Sequence, residues 1–249
     1  MTEAAPRIRL YVADDLAPDR VVGLAANQAH YLRHVMRCRP GDAVALFNGR
    51  DGEWRARIEG FGKGWCSLAL LGQLRRQAVE AGPVLLFAPI KRSRIDALAE
   101  KATELGVATL QPVTTRRTTV TRVNVDRLRL IAIEAAEQSG RLAVPEVAAP
   151  IGLEALLGEW PTGRRLVFLD EAGGAPPLAE ALAGAPPGDG WALLIGPEGG
   201  FDDDERRLLR ARDFVLAASL GPRILRAETA ALAALALWQA VLGDWRSGA

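Results

Sequence analysis

The sequence predicts an α/β protein in which a small β-rich domain precedes a domain with a mostly parallel sheet. Two observations support this prediction. Short runs of strand composition, separated by turns rich in glycine and aspartate, fill the chain up to Gly72. Beyond that point buried strands and amphipathic helices alternate, an order typical of a parallel sheet covered on both faces. The 249 residues, 49% of them hydrophobic, allow two modest domains.

The first domain is predicted to span residues 1–74 and to form a small β meander or barrel. It opens with a strand at residues 8–12. A short amphipathic helix follows at residues 25–37 and ends at the sequence RPGD. The remaining predicted strands cover residues 42–48, 53–60 and 65–72.

The second domain is predicted to span residues 75–249, with a linker at its start, and to alternate strands with helices. The predicted strands cover residues 84–90, 107–113, 165–170, 191–196 and 214–221. The predicted helices cover residues 92–106, 125–140, 202–212 and 227–243. In open parallel sheets ligands bind beyond the carboxyl ends of the strands, so we expect the functional site in the loops that follow them.

Composition argues against a membrane protein, a disulfide framework and a metal site. No apolar stretch is long enough to span a bilayer, and the N-terminus lacks the apolar core of a signal peptide, so we expect a cytoplasmic protein. Cys38 and Cys66 have no CxxC spacing. His30 and His34 have the i, i+4 spacing of two metal ligands, but no third ligand accompanies them.

Charge is unevenly distributed along the chain, although the net charge is only +1. Residues 75–141 carry 12 basic and 7 acidic side chains, whereas residues 142–249 carry 9 basic and 15 acidic ones. This asymmetry fits a face that binds a polyanion beside a pocket that does not. Ordinary scatter of surface charge is the alternative interpretation.

The loop IGPEGG, residues 195–200, lies between a predicted strand and a predicted helix, where a glycine-rich loop often binds phosphate. Four acids at residues 202–205 follow it, and they already occupy the favourable positions for negative charge at the helix start. The spacings GxGxxG and GxxxxGK[ST] are both missing. We therefore expect a mostly neutral, flat ligand such as adenosine, with the acids serving as the start of the helix.

Two further polar stretches are candidates for a functional site. The stretch EAAEQSGR at residues 134–141 ends a predicted helix, and a polar helix cap is the alternative interpretation. The stretch TTRRTTVTR contains Arg116 and Arg117 among hydroxyl side chains, and a solvated loop is the alternative there. In this second stretch the functional interpretation is contact between the arginines and RNA phosphates.

Five stretches of the chain together resemble the RsmE family of ribosomal RNA methyltransferases. They are LLIGPEGGFDDDE, LGPRILRAETAALAAL, KATELGV, EAAEQSGR and HYLRHVMRCRPGD, and the resemblance covers essentially the whole chain. It implies a PUA-like β-barrel followed by a SPOUT methyltransferase domain with a deep trefoil knot. It also implies a homodimer that binds S-adenosylmethionine in the knot and methylates N3 of one uridine of 16S rRNA in the 30S subunit.

The resemblance also implies roles for particular residues. The residues expected at the cofactor, with Leu169 placed by position only, are Leu169, Ile195, Gly196, Pro197, Glu198, Gly199, Leu220, Gly221 and Leu225. Those expected to contact RNA are Arg7, Arg33, Arg37, Arg116, Arg117, Gln138 and Arg141.

The implied reaction sets two tasks for catalytic residues, because uridine N3 carries a proton that it must lose before or during attack on the methyl group. Arg226 or Arg141 is expected to stabilise the uracil anion. Glu198, Glu228 or a water molecule is expected to accept the proton. Two alternatives stay open: another SPOUT methyltransferase acting on tRNA or a ribose 2′-OH, and a non-catalytic RNA-binding module.

Overall fold

The computed structural model describes residues 6–120, 122–186 and 190–246, which divide into two compact units. Unit 1 holds the described residues within Met1–Val79 and Ala136–Ala143. Unit 2 holds those within Glu80–Ala135 and Val144–Ala249.

Unit 1 is built on a five-stranded sheet with the order β1-β3-β4-β5-β2. Its strands are β1 (Arg9–Tyr11), β2 (Val21–Leu24), β3 (Ala43–Phe47), β4 (Glu53–Gly62) and β5 (Trp65–Arg75). The pair β1–β3 is parallel, and the other pairs are antiparallel. Helix α1 (Ala26–His30) continues into a π-helical turn over Tyr31–Val35. The helix predicted at residues 25–37 is therefore confirmed in position, and its second half is a wider π-helical turn.

Alternation of side chains along β4 explains how unit 1 forms its core. Trp54, Ala56 and Ile58 are buried, whereas the intervening Arg55 and Arg57 are partly or fully exposed. Successive side chains of a strand point to opposite faces, so one face of the sheet is apolar and the other polar.

Arg9 links the sheet of unit 1 to the segment Ala136–Ala143 at the end of a long helix. Its Nη1 donates to the carbonyl oxygens of Ala136 and Glu137, each at 2.8 Å, and its Nη2 donates to that of Arg141 at 2.7 Å. The last carbonyl groups of a helix lack partners within the helix, so this guanidinium supplies donors that they need.

Unit 2 contains a parallel sheet of seven strands with the order β12-β10-β11-β6-β7-β8, and β9 pairs with β7. The strands are β6 (Val84–Phe87), β7 (Thr109–Thr114), β8 (Glu146–Val147), β9 (Ile151–Gly152), β10 (Arg165–Leu169), β11 (Trp191–Ile195) and β12 (Val215–Ala218). The helices are α2 (Arg92–Glu104), α3 (Val125–Ser139), α4 (Leu153–Gly158), α5 (Leu178–Leu182), α6 (Asp203–Arg210) and α7 (Ala227–Val241).

Helices cover both faces of this sheet, as the apolar strands predict. In β11, Trp191, Leu193 and Ile195 belong to one hydrophobic cluster, and Ala192 and Leu194 belong to another. Helices α2, α3, α5 and α7 contribute side chains to the first cluster, whereas α4 and α6 contribute to the second. The predicted α/β architecture with a parallel sheet buried on both faces is confirmed.

The sequence-based assignment missed five short elements: β2, β8, β9, α4 and α5. It also placed the end of a strand at residue 72, whereas β5 continues to Arg75. Within the described residues, no helix combines the length and the apolar composition that crossing a bilayer requires.

Candidate functional site

A cavity of about 450 Å³ opens in unit 2 where β10, β11 and β12 end. These strands are neighbours in the sheet, with β10 between β12 and β11, so their carboxyl ends and the loops that follow them converge. Most of the lining comes from the segments 169–173, 195–200 and 218–227, and Arg94 adds a side chain from α2. The cavity therefore lies where ligands of open parallel sheets bind.

Gly196 lets the chain turn closely over an aromatic ring at the wall of the cavity. A Cβ atom at this position would lie 2.5 Å from the ring of Phe201, which is fully buried and packs edge-to-face on Phe168 with 5.0 Å between the ring centroids. The loop is therefore restricted to glycine here, and it presents backbone rather than a side chain to the cavity.

The acids after this loop start α6. Asp202 is the N-cap and accepts from the Glu205 N–H at 2.8 Å, while Glu205 Oε2 accepts from the Asp202 N–H at 3.1 Å. This reciprocal pair is a capping box, which confirms the interpretation of the acids as helix-start residues. The backbone N–H of Glu205, aided by the Arg116 guanidinium, holds the pKa of Asp202 below its usual value.

Arg116 and Arg117, predicted to contact RNA, both make contacts within unit 2. Arg116 Nη1 lies 3.0 Å from Asp202 Oδ2 and 2.7 Å from Asp204 Oδ2, and these acids raise the pKa of its guanidinium. Arg117 Nη1 donates to the carbonyl oxygen of Gly199 at 3.0 Å. The two arginines thus brace the loop and the helix start that border the cavity.

Asp170 and Glu171 follow β10 and line the cavity, and they are not among the predicted site residues. Asp170 is buried and accepts from Arg210 Nη2 at 2.6 Å, while Arg206 Nε lies 3.3 Å from its Oδ1. Glu171 accepts from the Phe201 N–H at 3.3 Å and pairs with Arg206. Glu171 joins the loop after β10 to the loop after β11, and both carboxylates join it to α6. The stretch FLDEAGG marks this strand end in the sequence but does not reveal these partners.

Arg94 on α2 pairs with two carboxylates, and sequence reasoning missed it. Its Nη1 contacts Glu198 in the loop after β11, and its Nε lies 3.6 Å from Glu228 Oε1 in the first turn of α7. The other oxygen of Glu228, Oε2, is buried and has no hydrogen-bond partner in the described part of the chain. Glu198 lies 104 positions from Arg94 in the sequence, so no local pattern could have revealed the contact.

Most of the residues predicted at the cofactor lie together around this cavity. Those that line it are Leu169, Ile195, Gly196, Pro197, Glu198, Leu220, Gly221 and Leu225. Gly199 is not among the lining residues, although its carbonyl oxygen holds Arg117. Arg226 also lines the cavity as the N-cap of α7, and no acidic partner is found for it among the described residues.

The other residues predicted to contact RNA or the target base lie in unit 1. Arg141 is buried there, and its carbonyl oxygen accepts from Arg9, whereas Gln138 is exposed. Three exposed arginines predicted to contact RNA are Arg7, Arg33 and Arg37. Arg37 adopts a left-handed backbone conformation with φ of 58°.

No group of three or more histidine, cysteine, aspartate or glutamate side chains is placed to hold a metal ion in residues 6–120, 122–186 and 190–246. The rings of His30 and His34 are tilted by 34° with 4.7 Å between their centroids, and both residues are exposed.

Two known protein families match this chain, one in its N-terminal part and one over most of the remainder. The family described as RNA methyltransferase domain matches residues 81–239, and that described as RNA methyltransferase PUA domain matches residues 24–68. The chain is 33% identical to Ribosomal RNA small subunit methyltransferase E of Rickettsia conorii, over 92% of this chain and 93% of that protein. It is 34% identical to the protein of the same name from Synechocystis, over 94% of this chain and 78% of that protein.

Solved structures with the same architecture carry a bound ligand. The Ribosomal RNA small subunit methyltransferase E of Neisseria gonorrhoeae, bound to S-adenosyl methionine, superposes with a TM-score of 0.83 at 30% identity, over 93% of this chain and 96% of that one. A methyltransferase from Legionella pneumophila in complex with the same cofactor gives 0.79 at 31% identity, over 93% and 96% of the two chains. The predicted SPOUT fold class is confirmed, and the chain belongs to the ribosomal RNA small subunit methyltransferase E family.

Proposed function

We propose that this protein transfers a methyl group from S-adenosylmethionine to N3 of one uridine of 16S rRNA, acting in the cytoplasm on the small ribosomal subunit. One observation carries the proposal. The two motifs with which the chain resembles its family are IGPEGG, after β11, and LGPRILR, after β12, and both line the same cavity although β10 lies between their strands.

The residues around the cavity fit this cofactor. A volume of about 450 Å³ lies within the usual range for small-molecule sites. The loop at Gly196 brings backbone groups to the wall, as adenosine recognition through backbone donors and acceptors requires. Three acidic and three arginine side chains line the cavity, so it lacks the excess of positive charge that a nucleoside triphosphate would favour.

When bound, S-adenosylmethionine supplies a methyl group activated on sulfur. The chain must hold the uracil next to it and stabilise the negative charge that develops as N3 loses its proton. Arg226 suits this task, because it lines the cavity and has no acidic partner among the described residues. A cation held in place where charge develops lowers the barrier without having to reorient. Arg141 is the second candidate for gripping the nucleotide.

Proton acceptance at N3 requires an oxygen that is not already engaged. Glu198 and Glu228 both pair with Arg94, but Glu228 Oε2 makes no hydrogen bond within the described structure. Glu228 therefore has the less engaged carboxylate of the two candidate bases, whereas Glu198 is the one that lines the cavity. A water molecule held by either carboxylate would serve the same purpose.

RNA contacts in this proposal come first from exposed arginines that form no ion pair with another described residue. Arg7, Arg33 and Arg37 meet this description in unit 1, and Gln138 is also exposed there. Arg116 and Arg117 already hold the acids and the loop beside the cavity, so a phosphate would have to compete with those contacts.

The architecture proposed for the active enzyme has two domains, residues 1–74 for RNA binding and residues 75–249 for methyl transfer. In this proposal the cofactor lies in a trefoil knot formed by the loops around the cavity, and the enzyme works as a homodimer. No metal takes part.

Transfer of a labelled methyl group tests the choice of RNA. The protein would be incubated with S-adenosylmethionine and either 30S subunits lacking endogenous modification or total tRNA. Label in 16S rRNA alone supports the proposal, whereas label only in tRNA would assign the protein to a different methyltransferase activity. No transfer to either RNA, together with unchanged thermal stability when the cofactor is added, would indicate a non-catalytic module.

A further inference from the structure

Arg94 is the one side chain of α2 that lines the cavity, among the residues that the structure describes. We infer that Arg94 is a positioning residue, which holds Glu198 and Glu228 together and thereby fixes two walls of the cofactor cavity relative to each other. This inference rests on the proposed function, because it takes S-adenosylmethionine as the ligand of the cavity.

Three separate elements meet at this guanidinium. Arg94 is the third residue of α2, Glu198 lies in the loop between β11 and α6, and Glu228 lies in the first turn of α7. The side chains of Arg94 and Glu228 are 30% and 21% exposed, so water screens this pairing only partly. The contact therefore ties the two segments that carry the family motifs to a third, rigid element.

Arginine suits this position because its guanidinium presents several donors in a fixed plane. Nη1 serves Glu198 while Nε faces Glu228 at 3.6 Å. A lysine ammonium is a compact charge on a flexible stem, so it would favour one carboxylate and release the other.

Loss of Arg94 would leave two like charges beside the same cavity. Glu198 and Glu228 would then repel each other across a partly desolvated space. The loop after β11 contains Gly199 and Gly200, the second with φ of +68°, whereas Glu228 lies in a helix. We expect the loop to be the part that moves, and its movement would displace the wall formed by Pro197 and Glu198.

A purely electrostatic role for Arg94 makes the opposite prediction for a charged ligand. If Arg94 only masked two carboxylates, its removal would strengthen attraction for the cationic sulfonium of S-adenosylmethionine. S-adenosylhomocysteine lacks the methyl group and the sulfonium charge but shares the adenosine. A positioning role therefore affects both ligands alike, and a masking role affects them differently.

Titration calorimetry of the full-length protein with each ligand tests the inference. Arg94→Ala should weaken both ligands by a similar factor, about tenfold, the equivalent of one hydrogen bond to a charged group. Arg94→Lys should recover only part of the loss. The double variant Arg94→Ala/Glu228→Gln should bind better than Arg94→Ala, because one of the two repelling charges is gone.

Arg127→Ala is the matched control, since it removes a different ion pair of α2, the 2.8 Å pair with Asp96, away from the cavity lining. It should leave both affinities within about twofold of wild type. Thermal melts of every variant would show that each one folds.

Unchanged binding by Arg94→Ala, or a change for S-adenosylmethionine alone, would overturn the positioning role while leaving the proposed function intact. The same holds if Glu228→Gln brings no recovery. A wild-type protein that binds neither ligand would overturn the proposed function and this inference with it.

Discussion

The backbone N–H of Arg116 donates to Glu205 Oε1 at 2.8 Å, across the gap between the loop after β7 and the first turn of α6. Glu205 is only 3% exposed, and its other oxygen accepts from the N–H of the helix N-cap, Asp202. One buried carboxylate thus completes the capping box and fixes a second loop beside the cofactor cavity.

Glu205→Ala should therefore destabilise the protein by about 3 kcal/mol, because it removes the cap partner and leaves the backbone N–H groups of Arg116 and Asp202 unpaired. Glu205→Gln keeps one acceptor oxygen but turns an N–H group towards one of the two donors, so we expect an intermediate loss. The free energy of unfolding in urea measures both. Asp203→Ala, at an 84% exposed side chain of the same turn, should stay within about 0.5 kcal/mol of wild type. If the Glu205 and Asp203 substitutions lower the free energy of unfolding equally, the buried contacts of Glu205 do not stabilise the protein.

Gly196→Ala should abolish binding of S-adenosylmethionine or reduce it severely. The added Cβ would lie 2.5 Å from the ring of buried Phe201, so either the loop or the ring must shift. Gly158→Ala is the control, because its Cβ would meet nothing within 4 Å. Calorimetry measures the affinity of both variants for S-adenosylmethionine. If Gly196→Ala binds it as tightly as Gly158→Ala, the loop does not form the cavity wall that we assign to it.

Arg226→Ala should lower kcat by about 10²- to 10³-fold, the usual effect of losing one group that stabilises charge in a transition state. Its affinity for S-adenosylmethionine should change little, since the loops around Gly196 and Gly221 remain. Single-turnover methyl transfer and calorimetry separate the two effects. Arg212→Ala, at an exposed arginine away from the cavity lining, serves as the control. Equal losses in kcat and affinity would assign Arg226 to cofactor binding instead.

Arg33→Ala should weaken binding to 30S subunits and reduce the salt dependence of that binding. If Arg33 contacts one phosphate, the slope of log K against log salt should become shallower by about one. Arg57→Ala removes the same charge from the same unit, but Arg57 is already paired with Glu59 at 2.9 Å. Filter binding over a series of salt concentrations compares the two variants. If the two variants give the same slope of log K against log salt, Arg33 does not contact an RNA phosphate.

The layout of unit 2 could be predicted because its strands are buried on both faces. Runs such as WALLI and VLLF have no polar residue to suggest an exposed side, which indicates a covered parallel sheet. Short elements escaped prediction. The strand β2 has four residues interrupted by Gly23, and β8 and β9 have two residues each, too few to show a period.

The cavity lining could be predicted from the family motifs, but the ion pairs that hold it could not. Glu198 and Glu228 belong to recognisable motifs, whereas their partner Arg94 lies in an ordinary helix pattern more than a hundred positions away from Glu198. Asp170 likewise ends an apolar run that does not indicate its two arginine partners on α6. Contacts at such separations arise from the order of strands in the sheet, which local sequence patterns do not encode.

The chemical identity of the product tests the central claim most directly. Unmodified 30S subunits would be incubated with the protein and isotopically labelled S-adenosylmethionine, and the 16S rRNA digested to nucleosides for mass spectrometry. We predict a single labelled product, N3-methyluridine, that is lost in the Arg226→Ala reaction. Label on a ribose 2′-oxygen, or on any base other than uracil, would contradict the account.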